Sequence, residues 1–452
     1  MPLRAAADRI DITPPVGVEL AGWCFGASTG VADPLYACGL MLEQSKERIV
    51  IISADLIGLG TEYADRIRNT IANELDMSQE AVVICSSHTH SGPGAMPLRR
   101  WGSIDPVYIE TLIGNIIDMV LRLPKSLSAA TCVAGETHVT GICRNRRRDR
   151  GSVIDEHVPV LAVMDRNTTP IAILYNVSCH PVAAHGDRNL ISADFPGYAA
   201  ATIRSQFPAV VPMFTLGAAG DINPVEFHKI ALAESYGESV GNAVVTVMQT
   251  LGQSREFLVT ETVHPDSNEL TDRQERDSST VLAARSRTVS LPVAPLPSAD
   301  FLREEKNKWK AEAQRIEQDK GRHDKLEDAL IKSEWAAEAL QVVESGRVAG
   351  SIDMEITVVR IGDVAIVALP GELFVEIGLS IKKHSPFPIT VIATLANGSL
   401  CYLPTAEAFR TGGYETEFSA KVYGLYMLTP ETQGIIERSV EELLGELAHA
   451  RS

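Results

Sequence analysis

The run Ala81-Val-Val-Ile-Cys-Ser-Ser-His88-Thr-His90-Ser-Gly-Pro-Gly94 joins a short apolar, β-prone stretch to small polar residues and then to two histidines one residue apart. Ser-Gly-Pro-Gly cannot continue either a strand or a helix. The stretch therefore reads as a buried strand that ends in a histidine loop. In an extended chain residues i and i+2 point to one side. His88 and His90 are accordingly expected to face one pocket at the carboxyl end of the strand, where α/β folds hold their sites. Neutral imidazole is the commonest protein metal ligand near neutral pH. A hydrogen-bonded structural pair gives the same sequence, so the pair alone decides nothing.

Working outward, Ile49 to Ile52 is a continuous apolar run of the kind buried on both faces, ending in Ser53-Ala-Asp55. Ile67, Ile71 and Leu75 then mark one face of a helix over about 63–75. Beyond the histidines, Pro106 opens a helix whose Ile109, Leu112, Ile113, Ile116 and Val120 form a stripe. Strand, helix, strand, helix is the α/β signature. Strands are expected at 130–135, 158–164 and 171–177, the last two paired across a turn. The third ends in Ser178-Cys-His180-Pro181 and repeats the first arrangement. His185 follows as a residue of the surface or the site's periphery, and a helix is expected from near Tyr198.

The strand at 210–216 ends in Gly217-Ala-Ala-Gly220-Asp221-Ile-Asn223-Pro224, a glycine-rich end that lets backbone approach a ligand. Short β-prone runs alternate with polar turns from about 253 to 297. Residues 299–345 are rich in Glu, Lys, Arg and Ala, with Leu326, Leu330, Trp335 and Leu340 at helical spacing. They are expected to form a helical hairpin inserted between two halves, serving as a lid, an oligomer contact or, by preference, a solvated excursion. A β-hairpin across Gly362-Asp363 ends in Pro370-Gly371-Glu372. A helix (373–383), a strand (389–395) and a last helix from Thr429-Pro430-Glu431 complete the chain. The expected class is α/β, a mixed β-sheet core flanked by helices with an inserted helical hairpin.

The 452 residues carry a formal net charge of −17, which repels phosphates and argues against nucleic acid or an anionic membrane as partner. No apolar run reaches a membrane-span length of about 18 residues. The N-terminus lacks the apolar core of a signal peptide. Seven scattered cysteines without CxxC spacing read as free thiols in a reducing compartment, so a cytoplasmic protein is expected. A homo-oligomer stays open.

Three strand ends thus carry His88, His180 and Glu372. Two histidines and a carboxylate are a catalytic zinc set that leaves one position open for water, whose pKa the ion lowers towards about 7. The basic cluster Arg144-Asn-Arg146-Arg-Arg148 reads first as a solvated loop, with an arginine near the site as the alternative.

The chain resembles the neutral (non-lysosomal) ceramidase family of zinc amidases. The resemblance rests on DITPP from 11, GVADPLYA from 30, ISADL from 52, HTHSGPG from 88, NVSCHP from 176, ISADFPGYA from 191, GDINP from 220, PGE from 370, LAN from 395 and GGYE from 412. It implies one catalytic domain over 1–452, with 299–345 inserted, and Zn2+ held by His88, His180, Glu372 and Tyr402. It also implies that His90, Tyr414 and one arginine of the 144–148 cluster, taken as Arg146, line the reacting carbonyl. Asn223 and Trp101 are candidates for the substrate side. Trp23 is a further open candidate.

Three departures qualify the likeness. The family's GDxSP serine is replaced by Asn223, the element before the ligand tyrosine reads Asn397-Gly-Ser399, and neither a secretion signal nor a C-terminal β-sandwich is expected. Together they favour a smaller amide, ester or lactone substrate, cleaved by zinc-activated water with His90 as base or proton shuttle. Tyr414 and Arg146 would stabilise the oxyanion. Two other readings remain at this point: a two-metal hydrolase recruiting Asp194 and Asp221, and a catalytically silent relative that binds without turnover.

Overall fold

The computed structural model describes residues 2–22, 26–147, 153–253, 280–347 and 350–450. Trp23, Arg148 and most of the 253–297 stretch lie outside the described residues. The aliphatic runs form an eight-stranded and a four-stranded sheet. The strands of the first are β1 (Arg4–Asp11), β2 (Tyr36–Gln44), β3 (Glu47–Ala54), β4 (Val82–Ser86), β5 (Ser128–His138), β6 (His157–Asp165), β7 (Pro170–Val177) and β8 (Val211–Leu216). The second holds β9 (Leu282–Leu291), β10 (Ile352–Ile361), β11 (Val364–Ala368) and β12 (Ile389–Ala393). Their orders are β8-β7-β6-β5-β1-β2-β3-β4 and β9-β10-β11-β12.

The larger sheet is folded at its middle, because β1 meets β5 only at Arg4↔Ala129 and Ala5↔Ser128. Three four-stranded units result, and their inner faces share one core. Ile51 and Val83 of the first unit join Leu161, Leu174 and Met213 of the second and Val359, Ile366 and Val391 of the third. The alternate residues face outward against helices. Val50, Ile52 and Ile84 meet α1 (Thr61–Glu74) and α2 (Pro106–Arg122). Val160, Ile173 and Phe214 meet α3 (Asp194–Gln206) and α4 (Ile230–Gln253). Ile356, Val358 and Val367 are covered through Ile377, Ile381, Ile436 and Val440, the last two from the C-terminal helix (Glu431–Ala448). Burial on both faces explains why these strands are apolar throughout rather than alternating.

Each unit contains one parallel pair: β3 with β4, β7 with β8, and β11 with β12. The chain leaving β4 carries His88, that leaving β7 carries His180, and that leaving β11 carries Glu372. Polar ties hold the three strand ends together. The buried Asn397 side chain accepts from Ile84 N at 3.0 Å while the Asn397 backbone N–H donates to Ile84 O at 2.8 Å. Asn176 Nδ2 donates to Ile392 O at 2.8 Å, and Thr394 N to Leu216 O at 2.9 Å.

Two expectations change. The helix expected near Tyr198 begins at Asp194, whose φ of 59° turns the chain directly out of the preceding loop. Its own Oδ1 accepts from Phe195 N at 2.7 Å, so the carboxylate starts the helix. The inserted hairpin, α5 (Ala299–Gln318) and α6 (His323–Glu344), is not a solvated excursion. Trp335, Ala336, Ala339 and Leu340 are buried with Leu302 against Tyr426 and Met427. Ile331 enters a second cluster with Ile57, Met96, Leu98 and Trp101. Arg99 pairs with Glu338, and Arg100 with Glu327 and Glu334. Six described cysteines are free thiols, Cys24 lying outside the described residues. No described helix is long and apolar enough to cross a membrane.

Candidate metal centre

After β4 the backbone does not stay extended. His88 has φ 70°, a left-handed conformation that a side chain adopts at a cost of about 1 kcal/mol or more. Two bonds hold it there: His88 N donates to Leu56 O at 2.8 Å and Nδ1 to Ile57 O at 2.5 Å. His88 and His90 therefore meet because the loop folds, not because residues i and i+2 share a strand face. Their rings stand 4.7 Å apart at 81°, with the Nε2 atoms at 3.3 Å. Gly22 (φ 95°) closes over this pair, and a Cβ there would lie 2.6 Å from His90 Nδ1.

His180 is anchored in the same manner, its N and Nδ1 both directed at Ile222 O, at 3.1 and 3.0 Å. Its ring lies 4.8 Å from that of His88. Glu372 enters from a short parallel pairing in which it registers with Tyr402. Its Oε2 lies 3.0 Å from His180 Nε2 and 3.4 Å from His88 Nε2, and its Oε1 accepts from Tyr423 OH at 2.6 Å. All three side chains are buried.

A carbonyl oxygen only accepts, so Nδ1 of His88 and of His180 carries the proton. In the neutral rings both Nε2 lone pairs then point at a carboxylate oxygen. Acceptors facing one another at this range need a cation or a proton between them, and the nitrogen, nitrogen and oxygen set fits a divalent metal. Among the described residues His88, His90 and His180 also form a group whose ligand atoms lie within 4.8 Å of one another and could hold an ion. Burial, then the neighbouring imidazoles, holds His90 well below the ordinary histidine value, and burial lowers His180. Burial pushes Glu372 up, but the facing imidazoles outweigh it and keep the carboxyl well below its usual range.

The other expected residues gather around this centre. Tyr402 lies parallel to His180, with centroids 6.5 Å apart, and edge-on to Tyr414 at 5.6 Å. The basic cluster is not a solvated loop at Arg146 and Arg147. Arg146 lies over the rings of Tyr402 (5.3 Å) and Tyr414 (5.9 Å) and donates to Glu415, Asn223 and the Gly220 carbonyl. Asn223 Oδ1 thus braces Arg146, at 3.1 Å. Trp101 stacks on Tyr414 at 6.3 Å and 7°.

Asp221 and Asp194 do not join them. Asp221 accepts from Val375 N and Asn145, and Asp194 from the amides of Ala184 and Phe195. Both act as backbone braces, so the two-metal set does not assemble among the described residues. Nor does His90 reach Asp55 or Asp194, since its Nδ1 is buried without a hydrogen-bond partner.

Sequence reasoning missed Tyr423, Glu415, His228 and Asp328, and did not separate Arg147 from the rest of the basic cluster. None stands at a strand end, and Tyr423 and Asp328 reach the site only through the packing of separate segments. GGYE did contain Glu415, which pairs with both Arg146 and Arg147. His185 is buried, its ring 5.8 Å from His90. A cavity of about 670 Å³ opens from the centre, walled by His90, His180, Tyr402, Tyr414, Arg146, Trp101 and Asn223, among others.

No protein-family model matches the chain, and no curated protein sequence does. Solved structures match its fold. Neutral ceramidase from Pseudomonas aeruginosa aligns over 99% of this chain and 74% of its own, with TM-score 0.72 and 17% identity. A ceramidase complexed with C2 aligns over 99% and 75%, with the same score and identity. The chain has a neutral ceramidase-like fold.

Proposed function

We propose that a chain with this fold and this donor set is a zinc-dependent hydrolase that cleaves an amide, or a related ester or lactone bond, of a small substrate. The observation that carries the reading is the meeting of His88, His180 and Glu372, from three separate sheet units, behind a cavity that His180 and His90 line. These residues, with Tyr402, would hold the ion. Zinc so bound supplies Lewis acidity, polarising a carbonyl and acidifying a water.

The chain's own groups supply the rest. Ile57 O and Ile222 O keep two imidazoles in the tautomer that offers Nε2. His90, neutral in its buried setting, is the base that takes up a proton and returns it to the leaving group. Arg146 uses three of its five N–H groups on Glu415, Asn223 and Gly220, which fixes its plane. Its charge and the Tyr414 hydroxyl stabilise negative charge on the substrate oxygen, an effect of about 3 kcal/mol for a well-placed donor. Asn223, where a serine nucleophile is expected from the resemblance, supports Arg146 rather than attacking.

The test combines metal analysis with a panel of N-acyl, ester and lactone substrates, before and after a chelator. One zinc per chain and chelator-sensitive turnover restored by zinc are expected. His88→Ala should lower both metal content and turnover by at least about a hundredfold. A His88→Ala enzyme that hydrolyses normally would end the proposal.

A further inference from the structure

One carboxylate on the cavity wall has no directly bonded counterpart among the described residues. Asp328, from α6 of the inserted hairpin, is half-buried and lines the same cavity as His90 and His180. Among the described residues it makes no hydrogen bond and no ion pair. The cavity's other charged groups are engaged: Glu415 holds Arg146 at 2.9 Å and Arg147 at 2.7 Å. Lys332 and Lys325 act on Asp328 only through space. The Lys332 ammonium sits instead over the rings of Trp309, at 4.1 Å, and Phe418, at 5.1 Å.

Asp328 lines the cavity together with Trp101, Tyr414 and Phe418, and its charge acts on Tyr414. The three rings pack mutually, Tyr414 lying 6.3 Å from Trp101 and 5.9 Å from Phe418, and Trp101 6.5 Å from Phe418. A carboxylate beside π faces, in a cleft that excludes much of the water, attracts an organic cation. The formal net charge of −17 adds long-range attraction of the same sign.

We infer that this cavity binds an alkylammonium group, with Asp328 as its counter-ion and the aromatic group as its apolar bed. The substrates are then acylated compounds bearing a positive charge remote from the scissile carbonyl. The assignment of the bound molecule as substrate rests on the hydrolase reading above, whereas the ammonium site itself does not. In this arrangement the inserted hairpin, which supplies none of the candidate metal ligands, sets specificity.

Binding of hexylammonium and of 1-hexanol, measured by calorimetry on the intact protein at neutral pH, separates charge from chain length. Wild type should bind the ammonium about tenfold more tightly, and Asp328→Asn should abolish that preference while leaving 1-hexanol unchanged. Equal binding of the two by wild type, or a preference that survives Asp328→Asn, overturns the site. In parallel, 6-aminohexanoyl and hexanoyl p-nitroanilides are compared by kcat/KM, with the aminated one expected to be favoured in wild type only. Should the ammonium bind as described while neither anilide nor any other acyl compound is cleaved, the hydrolase reading fails and the site stands.

Discussion

Glu372 shows how one residue depends on another far away in sequence. Its Oε2 faces the two imidazoles, and its orientation about that axis is set by the Tyr423 hydroxyl on Oε1, at 2.6 Å. Outer partners of this kind typically tune metal affinity by about 10- to 100-fold. Tyr423→Phe keeps the ring packed but withdraws the donor. It should weaken zinc affinity roughly tenfold, measured by competition with a chromophoric chelator, with little change in thermal stability. Unchanged affinity would mean that the hydroxyl positions nothing. His88, His180 and Glu372 were legible because each follows an apolar run and stands beside a proline or glycine break, ahead of it for the histidines and behind it for Glu372. Tyr423, in Tyr423-Gly-Leu-Tyr-Met427, carries no such mark, and its partner lies 51 positions upstream.

At the level of the element, the hairpin α5–α6 departs most from its sequence. Its surface is so charged that composition alone reads as solvated, yet its Trp335 is 5% exposed and donates Nε1–H to Leu425 O at 2.9 Å. Removing that side chain loses a large apolar contact and a buried hydrogen bond. Trp335→Ala should cost about 3 kcal/mol. It should also speed proteolytic cleavage within 299–345 ahead of the rest of the chain. If cleavage there kept its wild-type rate, the hairpin would be held by something other than this contact. The charged residues misled because many of them pair with one another or with Arg99 and Arg100 rather than with water alone. Such pairs are individually weak, so the aromatic anchor carries the docking.

Across the molecule, three sheet units pressed around one core leave buried carboxyls between them. Asp55, at the end of β3, is pushed up to about 7, chiefly by burial, with Asp33 adding to the rise against the Tyr36 amide that opposes it. A carboxyl raised above its unfolded value of 3.8 favours the fold in its protonated form. That contribution is complete below the unfolded value and is lost as pH rises through the folded one. Asn at 55 keeps an acceptor for Tyr36 N, now 2.9 Å from Oδ2, and removes the charge. Asp55→Asn should therefore gain about 2 kcal/mol over wild type between about pH 5 and pH 8, read by denaturant titration at each pH. A difference that stays flat with pH would show that the carboxyl is not strained by burial.

What the sequence determined by itself is local. Apolar runs without alternation specified strands buried on both faces, stripes at helical spacing specified the covering helices, and proline and glycine marked where each strand must stop. These follow from backbone sterics and from periodicity, which act within a few residues. Only the tertiary structure decided that the strands divide into three units around one core and that Asp194 and Asp221 brace backbone rather than face the histidines. It alone lays the charged hairpin against the cavity with Asp328 on its wall. Those outcomes depend on which surfaces meet when the core closes, and hydrophobic burial, being non-directional, leaves no record of its partner in the local pattern.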